Sequence, residues 1–201
     1  LFVPVISNSI RVGHSNVHYL ESGAHATSAV VLFHGASFQA ETWRQIGTLD
    51  VLARSGYHGI AVDLPGYGES AAVDVEPKKW VGQLLTELQI ERPVLVAPSI
   101  SGRVVIPWLL GGSDAASGLV AVACAAIKEN ARRLKKICVP VLAVWGENDT
   151  VVPQQQADRL VAAVADGEKV IIRGAGHAPY MNDPGAFHVE LLRFLQRVFQ
   201  A

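Results

Sequence analysis

Three residues of this chain have the types and the spacing to make a nucleophile between them: Ser99, Asp149 and His177. A serine hydroxyl is weak at neutral pH. It attacks a carbonyl carbon only when a base takes its proton, and the base works only when a third group fixes its tautomer and stabilises its charged form. Ser99 stands in Ala97-Pro98-Ser99-Ile100-Ser101, after the apolar run Val94–Ala97 and before a helical pattern. A strand, a tight turn carrying Ser and a helix make a nucleophile elbow. Its usual G-x-S-x-G pattern needs small residues two before and two after the Ser. Ala97 and Ser101 replace both glycines and keep them small. The plain alternative is that Ser99 caps the helix. Ser101 is the rival nucleophile, but Arg103 is bulky where its own turn would need a small residue.

Asp149 ends Gly146-Glu147-Asn148-Asp149, just after the run Val139–Trp145. His177 follows Arg173-Gly174-Ala175-Gly176, just after a run ending at Ile172. The order along the chain is serine, acid, histidine, which is neither the chymotrypsin nor the subtilisin order. Glu147 is the rival acid, nearer the strand end. Asp149 as a mere turn residue and His177 as a buried structural histidine are the plain alternatives. The glycines before His177 suit a loop that swings an imidazole over the elbow. A fourth piece is an oxyanion hole. Such a hole uses the N–H after the nucleophile, here Ile100, and one from the loop after an early strand, here Ala36 in His34-Gly35-Ala36-Ser37. Losing one such donor typically costs about 2.7–4 kcal/mol of barrier. Gly35 lets the backbone come close to a substrate, and His34 reads as a buttress. Phe38, Trp43 and Tyr180 are the candidate pocket walls, with core packing as the alternative for each.

These residues need a frame that gathers them at one edge. Short runs rich in Val, Ile and Leu predict strands over Val17–Leu20, Ala29–Phe33, Gly59–Val62, Val94–Ala97, Leu119–Ala123, Val139–Trp145 and Lys169–Ile172. Most are apolar on both faces, as in a sheet covered by helices on both sides. Helical patterns fall between them over Glu41–Ser55, Trp80–Gln89, Ser101–Leu110, Lys128–Lys136, Gln154–Ala165 and Pro184–Phe199. Alternating strand and helix predicts an α/β fold with a mostly parallel sheet and helices on both faces. Working residues then sit on loops beyond the carboxyl ends of the strands. With 201 residues, no internal repeat and no linker, the whole chain, 1–201, reads as one domain.

His34-Gly35, Asp63-Leu64-Pro65-Gly66-Tyr67-Gly68-Glu69-Ser70, the elbow at Ser99, Gly146-Glu147-Asn148-Asp149 and Gly174-Ala175-Gly176-His177 together resemble the α/β-hydrolase superfamily over nearly the whole chain. Glu41-Thr42-Trp43, Ile46-Gly47-Thr48-Leu49 and Pro98-Ser99-Ile100-Ser101-Gly102 resemble one small branch, the α/β-hydrolase domain-containing fourteen proteins. The resemblance implies a compact cytoplasmic or nuclear serine hydrolase that cleaves small activated acyl esters through an acyl-enzyme. In that branch one member is linked to lysine deacetylation with acetyl transfer to coenzyme A, and to a transcription-factor partner. No motif of this chain carries those two properties. The chain leaves no room for a cap domain between Ser99 and Asp149, so the site is expected to be open. A non-catalytic binding module on the same fold, or a scaffold for a protein partner, is the alternative from another class.

Other signals are set aside. The net charge is −1, from 17 Lys+Arg and 18 Asp+Glu, which argues against nucleic acid or an anionic membrane as partner. No apolar run reaches the ~18 residues that span a bilayer. Cys124 and Cys138 make neither a disulfide framework nor a metal pattern, so no metal is expected. Leu1-Phe2-Val3-Pro4 has no Met and no basic region, and is not expected to be a signal peptide. Gly66-Tyr67-Gly68-Glu69-Ser70-Ala71 matches G-x-G-x-x-A, but Pro65 and the polar stretch 74–79 deny the helix that a dinucleotide site needs, so no cofactor is expected. Asp63 reads as a loop organiser. Lys128, Arg132 and Lys136 are expected to share one face of a basic helix, which is solvated or docks an anionic partner.

Overall fold

A computed structural model describes residues 3–72, 76–112 and 115–200. Asp74 and Asp114 lie outside the described residues. The elements run β1 (Ile6–Val12), β2 (Ser15–Ser22), β3 (Ala29–Leu32), α1 (Ala40–Gln45), α2 (Thr48–Arg54), β4 (His58–Val62), α3 (Pro77–Glu87), β5 (Val94–Pro98), α4 (Gly102–Leu109), β6 (Gly118–Val122), β7 (Val141–Gly146), α5 (Gln155–Ala163), β8 (Gly167–Ile172), α6 (Pro179–Asn182) and α7 (Pro184–Phe199). The eight strands form one sheet in the order β1-β2-β4-β3-β5-β6-β7-β8. β2 pairs antiparallel with β1 and with β4, and every other neighbour is parallel.

The apolar strands alternate faces as the pleat requires. Val31, Leu95, Ala121 and Ala143 face the layer that holds Trp80, Val105, Ile106 and Leu160 from α3, α4 and α5. Val30, Val96, Val120 and Val144 face the layer that holds Trp43, Leu49, Leu52, Phe187 and Leu191 from α1, α2 and α7. Burying a side chain of this size is worth about 1.5–3 kcal/mol. α7 contributes Phe187, Leu191, Phe194 and Leu195. Its start is fixed by Asp183, whose carboxylate accepts the Ala186 N–H at 2.9 Å, and by Pro184 in the first turn.

Three expectations are corrected. The span Glu41–Ser55 is two helices, because Gly47 at φ +78° turns the backbone left-handed between them. Lys128–Lys136 is no regular α-helix but a run of turns ending in one 3-10 turn, Leu134–Lys136. The Asn130 side-chain amide donates to the Ala126 carbonyl at 2.8 Å and competes with helical bonding there. Lys128, Arg132 and Lys136 therefore share no helix face. α3 begins at Pro77, inside the polar stretch that was expected to be non-helical. Strand β1 and the short helix α6 were not anticipated.

Candidate active site

Ser99 follows β5 at φ +46°, a left-handed conformation costly for any residue with a Cβ. The strain is held in place from both sides. The Ser99 carbonyl accepts the Ala125 N–H at 2.9 Å. Ser101 donates its hydroxyl to the Pro98 carbonyl at 2.7 Å. Gly102 opens α4 where any Cβ would collide with Cys124 and the Ala125 carbonyl, so only glycine lets the helix lie this close to the end of β6. The strand-turn-helix therefore pushes the Ser99 side chain out from the sheet edge. Ser101 is fully buried and its hydroxyl is engaged, which removes the rival nucleophile.

His177 Nε2 lies 2.9 Å from Ser99 Oγ. His177 Nδ1 lies 3.0 Å from Asp149 Oδ2 and 3.1 Å from Oδ1. An ionised carboxylate only accepts, so Nδ1 carries the proton and the Nε2 lone pair faces the serine hydroxyl. Asp149 itself is held rigidly. Its Oδ1 accepts the N–H groups of Val151 at 2.8 Å and Val152 at 3.0 Å, and its side chain is fully buried while that of His177 is 26% exposed. The imidazole is thus within reach of solvent and the carboxylate is not.

The two loops that carry the acid and the histidine are laced together. Asn148 N–H donates to the Ala175 carbonyl at 2.8 Å, and Glu147 N–H to the Ile172 carbonyl at 3.0 Å. Glu147, the rival acid, spends its carboxylate on the Gly174 N–H at 2.8 Å. A Cβ at Gly146 would strike the carbonyls of Ala175 and Gly176, so glycine lets the loops touch. Asn182 holds the far side through its side-chain oxygen on the Gly176 N–H, 2.9 Å away. Sequence reasoning missed Asn182 and the packing role of Gly102. The only signal for either lay in contacts made across the fold.

The loop after β3 lies beside the elbow. A Cβ built on Gly35 would sit 3.7 Å from Ser99 Cβ and 3.3 Å from the Phe38 ring. Ala36 is exposed and Ile100 half-buried at this edge. His34 is fully buried. Its Nδ1–H donates to the Gly35 carbonyl at 2.8 Å and its Nε2 accepts the Leu64 N–H at 2.9 Å. Burial lowers its pKa, in keeping with a neutral ring wedged between two loops. Asp63 organises the neighbouring loop by accepting the N–H groups of Ala40 at 2.6 Å and Glu69 at 3.0 Å.

Of the three expected pocket walls, only Phe38 keeps some exposure. Trp43 is fully buried and donates its indole N–H to the Phe33 carbonyl at 2.9 Å. Tyr180 is 2% exposed and stacks on Trp43 with ring centroids 4.8 Å apart. Burial raises its phenol above the usual tyrosine range, so the ring stays neutral. These two corrections have one cause: both side chains point into the apolar layer beneath the site. A cleft of about 260 Å³ opens elsewhere, beside the elbow and the Asp149 loop, lined by Arg103, Cys124, Ala125, Lys128, Val151 and Val152. A larger cleft of about 620 Å³, against α3 and Trp108, shares none of these residues. Among the described residues there is no group of His, Cys, Asp and Glu arranged to hold a metal, and no helix long and apolar enough to cross a membrane.

The chain matches the alpha/beta hydrolase family over residues 30–136 and a serine hydrolase family (FSH1) over residues 111–179. It is 32% identical to mouse (Mus musculus) "Protein ABHD14A" over 205 residues, covering 98% of this chain and 82% of that protein. It is 32% identical to human (Homo sapiens) "Putative protein-lysine deacylase ABHD14B" over 185 residues, covering 88% of this chain and 87% of that protein. Among solved structures, a predicted CIB-like hydrolase from Thermoplasma acidophilum superposes with a TM-score of 0.92 at 26% identity, covering 98% of this chain and all of that one.

Proposed function

The chain belongs to the α/β-hydrolase family, in its ABHD14 branch, and on that footing we propose that it is a serine hydrolase acting through an acyl-enzyme on Ser99. The observation that carries this reading is the unbroken chain of hydrogen bonds from Ser99 Oγ through His177 to the buried Asp149, at 2.9 and 3.0 Å. As Ser99 attacks an acyl carbonyl, His177 Nε2 takes its proton and Asp149 stabilises the resulting imidazolium. The N–H groups of Ala36 and Ile100 receive the negative charge on the carbonyl oxygen. His177 then returns the proton to the leaving group and activates the water that releases the acid.

The substrates are small acyl esters or exposed acyl groups. Two features support this. Among the described residues, the connection from β6 to β7 is made of turns and one 3-10 turn, with no α-helix in it. The buried Trp43 and Tyr180 leave no deep apolar tunnel at their positions. A second reading is removal of an acyl group from a lysine side chain, which the name of the human relative supports. An open edge admits a long, protruding side chain.

The test is labelling with a fluorophosphonate, read by intact mass and peptide mapping. One adduct on Ser99 is expected, lost in Ser99→Ala and His177→Ala and kept in Ser101→Ala. Folded protein that takes no adduct would sink the hydrolase reading in favour of a binding module.

A further inference from the structure

Asp63 has a partner besides the two backbone N–H groups it organises. Its Oδ2 lies 2.7 Å from His18 Nδ1, and His18 Nε2 lies 3.0 Å from Ser7 Oγ. The carboxylate can only accept, so His18 Nδ1 carries a proton, and in the neutral ring the Nε2 lone pair turns to the Ser7 hydroxyl, with Glu69 Oε1 3.9 Å from the same nitrogen. This is the connectivity of the Ser99 site, built a second time from other elements. Ser7 lies on β1, His18 on β2 and Asp63 just beyond β4, three strands that neighbour one another in the sheet. The Asp63 and His18 side chains are 3% and 10% exposed, whereas Ser7 is exposed. The acid and base are therefore shielded and the hydroxyl is open. A cleft of about 280 Å³ stands over the three, lined also by Gln39, Glu41, Arg44 and Glu69.

We propose that Ser7 is a second acyl-accepting serine, acylated by activated esters in this cleft with His18 as general base. Ser7 Oγ bonds to the acyl carbon as its proton passes to His18 Nε2. The bond from the acyl carbon to the leaving oxygen breaks, the leaving group departs as the anion, and His18 gives its proton to solvent. Ser7 lies within a regular strand, with no elbow to aim successive N–H groups at the developing charge. The Gln39 amide and the Arg44 guanidinium are the donors that line the cleft, and Arg44 is already paired with Glu41 at 2.7 Å. A site so equipped reacts only with esters that carry a good leaving group, and it keeps the acyl group rather than turning it over. It is a modification site on the opposite flank of the sheet centre from Ser99.

If the three residues are only a brace for the Asp63 loop, Ser7 reacts no faster than any exposed serine. Ser55 is the internal standard. It is exposed at the end of α2, and its side chain makes no hydrogen bond among the described residues. Ser99→Ala protein is treated with p-nitrophenyl acetate and the acetyl groups are mapped by peptide mass over time. A general base typically supplies 10²–10⁴-fold, so acetylation at Ser7 should outpace Ser55 by at least about tenfold. His18→Gln should bring Ser7 down to the rate of Ser55. A ratio below about tenfold, or a Ser7 rate unchanged by His18→Gln, overturns the proposal. Should His18→Gln not fold, the ratio in the folded Ser99→Ala protein decides alone. Ser7→Ala in the parent chain should leave fluorophosphonate labelling of Ser99 unaltered, so the two sites stand or fall separately.

Discussion

Ser99 occupies a backbone conformation that suits glycine and penalises serine, at φ +46°. Two substitutions that both remove the hydroxyl should therefore part company. Ser99→Gly relieves the clash between Cβ and backbone, while Ser99→Ala keeps it. The expectation is that the Gly variant is more stable than the Ala variant by about 1 kcal/mol, or roughly 2–4 °C in Tm for a chain of this size, measured by thermal or urea unfolding. Equal stability would mean that the elbow is not strained at Ser99. At this scale the sequence was most informative, because chemistry sits in residue types. Ser99, Asp149 and His177 could be picked out by type and order. Of the residues that hold them, Gly102 and Gly146 stood in the motifs without a role, and Asn182 did not stand out at all. Each is needed because of an atom far away in sequence: a carbonyl at Ala125 or Gly176, or an N–H at Gly176.

Elements read well where burial writes a pattern and poorly where it does not. The five strands β3 to β7, buried throughout, appear in the sequence as apolar runs. β1 does not, since Ser7, Asn8 and Ser9 run together between Ile6 and Ile10, and Arg11 follows, on an edge strand half open to water. Its only warrant is pairing with β2. The span 128–136 misled for the opposite reason. Its charges fall at helical spacing, but only Leu134 is fully buried there, and charge spacing does not bury surface. α7 is the best-specified helix, and its cap makes a prediction. Asp183→Ala removes the acceptor for the Ala186 N–H and should cost about 1 kcal/mol, seen as a lower urea midpoint with an unchanged slope. Asp183→Asn or Asp183→Ser should recover most of it, which separates a capping role from a general effect of charge.

Across the whole molecule, one buried and one half-buried imidazole make stability depend on pH. Burial lowers the pKa of His34, wedged between the loops after β3 and β4, and of His188, whose Nε2 meets Thr48 Oγ1 at 2.9 Å between α7 and α2. Both stay neutral in the fold, while the unfolded chain takes up protons near pH 6.5. Their contribution is complete above about pH 6.5 and is lost as pH falls below it, because there the unfolded state binds protons that the folded state refuses. Urea midpoints should hold level from pH 8 to 7 and fall steadily below 6.5. His188→Gln should flatten part of that fall, and an unchanged profile would remove His188 from the account. The sheet order also sets a timetable for synthesis. Ser99 precedes β6 to β8, whereas its proposed base waits on β8, and the loop that carries His177 is pinned by Gly146 and Asn182 from either side of it in the chain. A growing chain therefore carries Ser99 without its proposed base for as long as residues 100 to 177 are being made. The proposed triad closes only once β8 and the loop after it have been made, when β5, β6 and β7 are already there to pack the elbow.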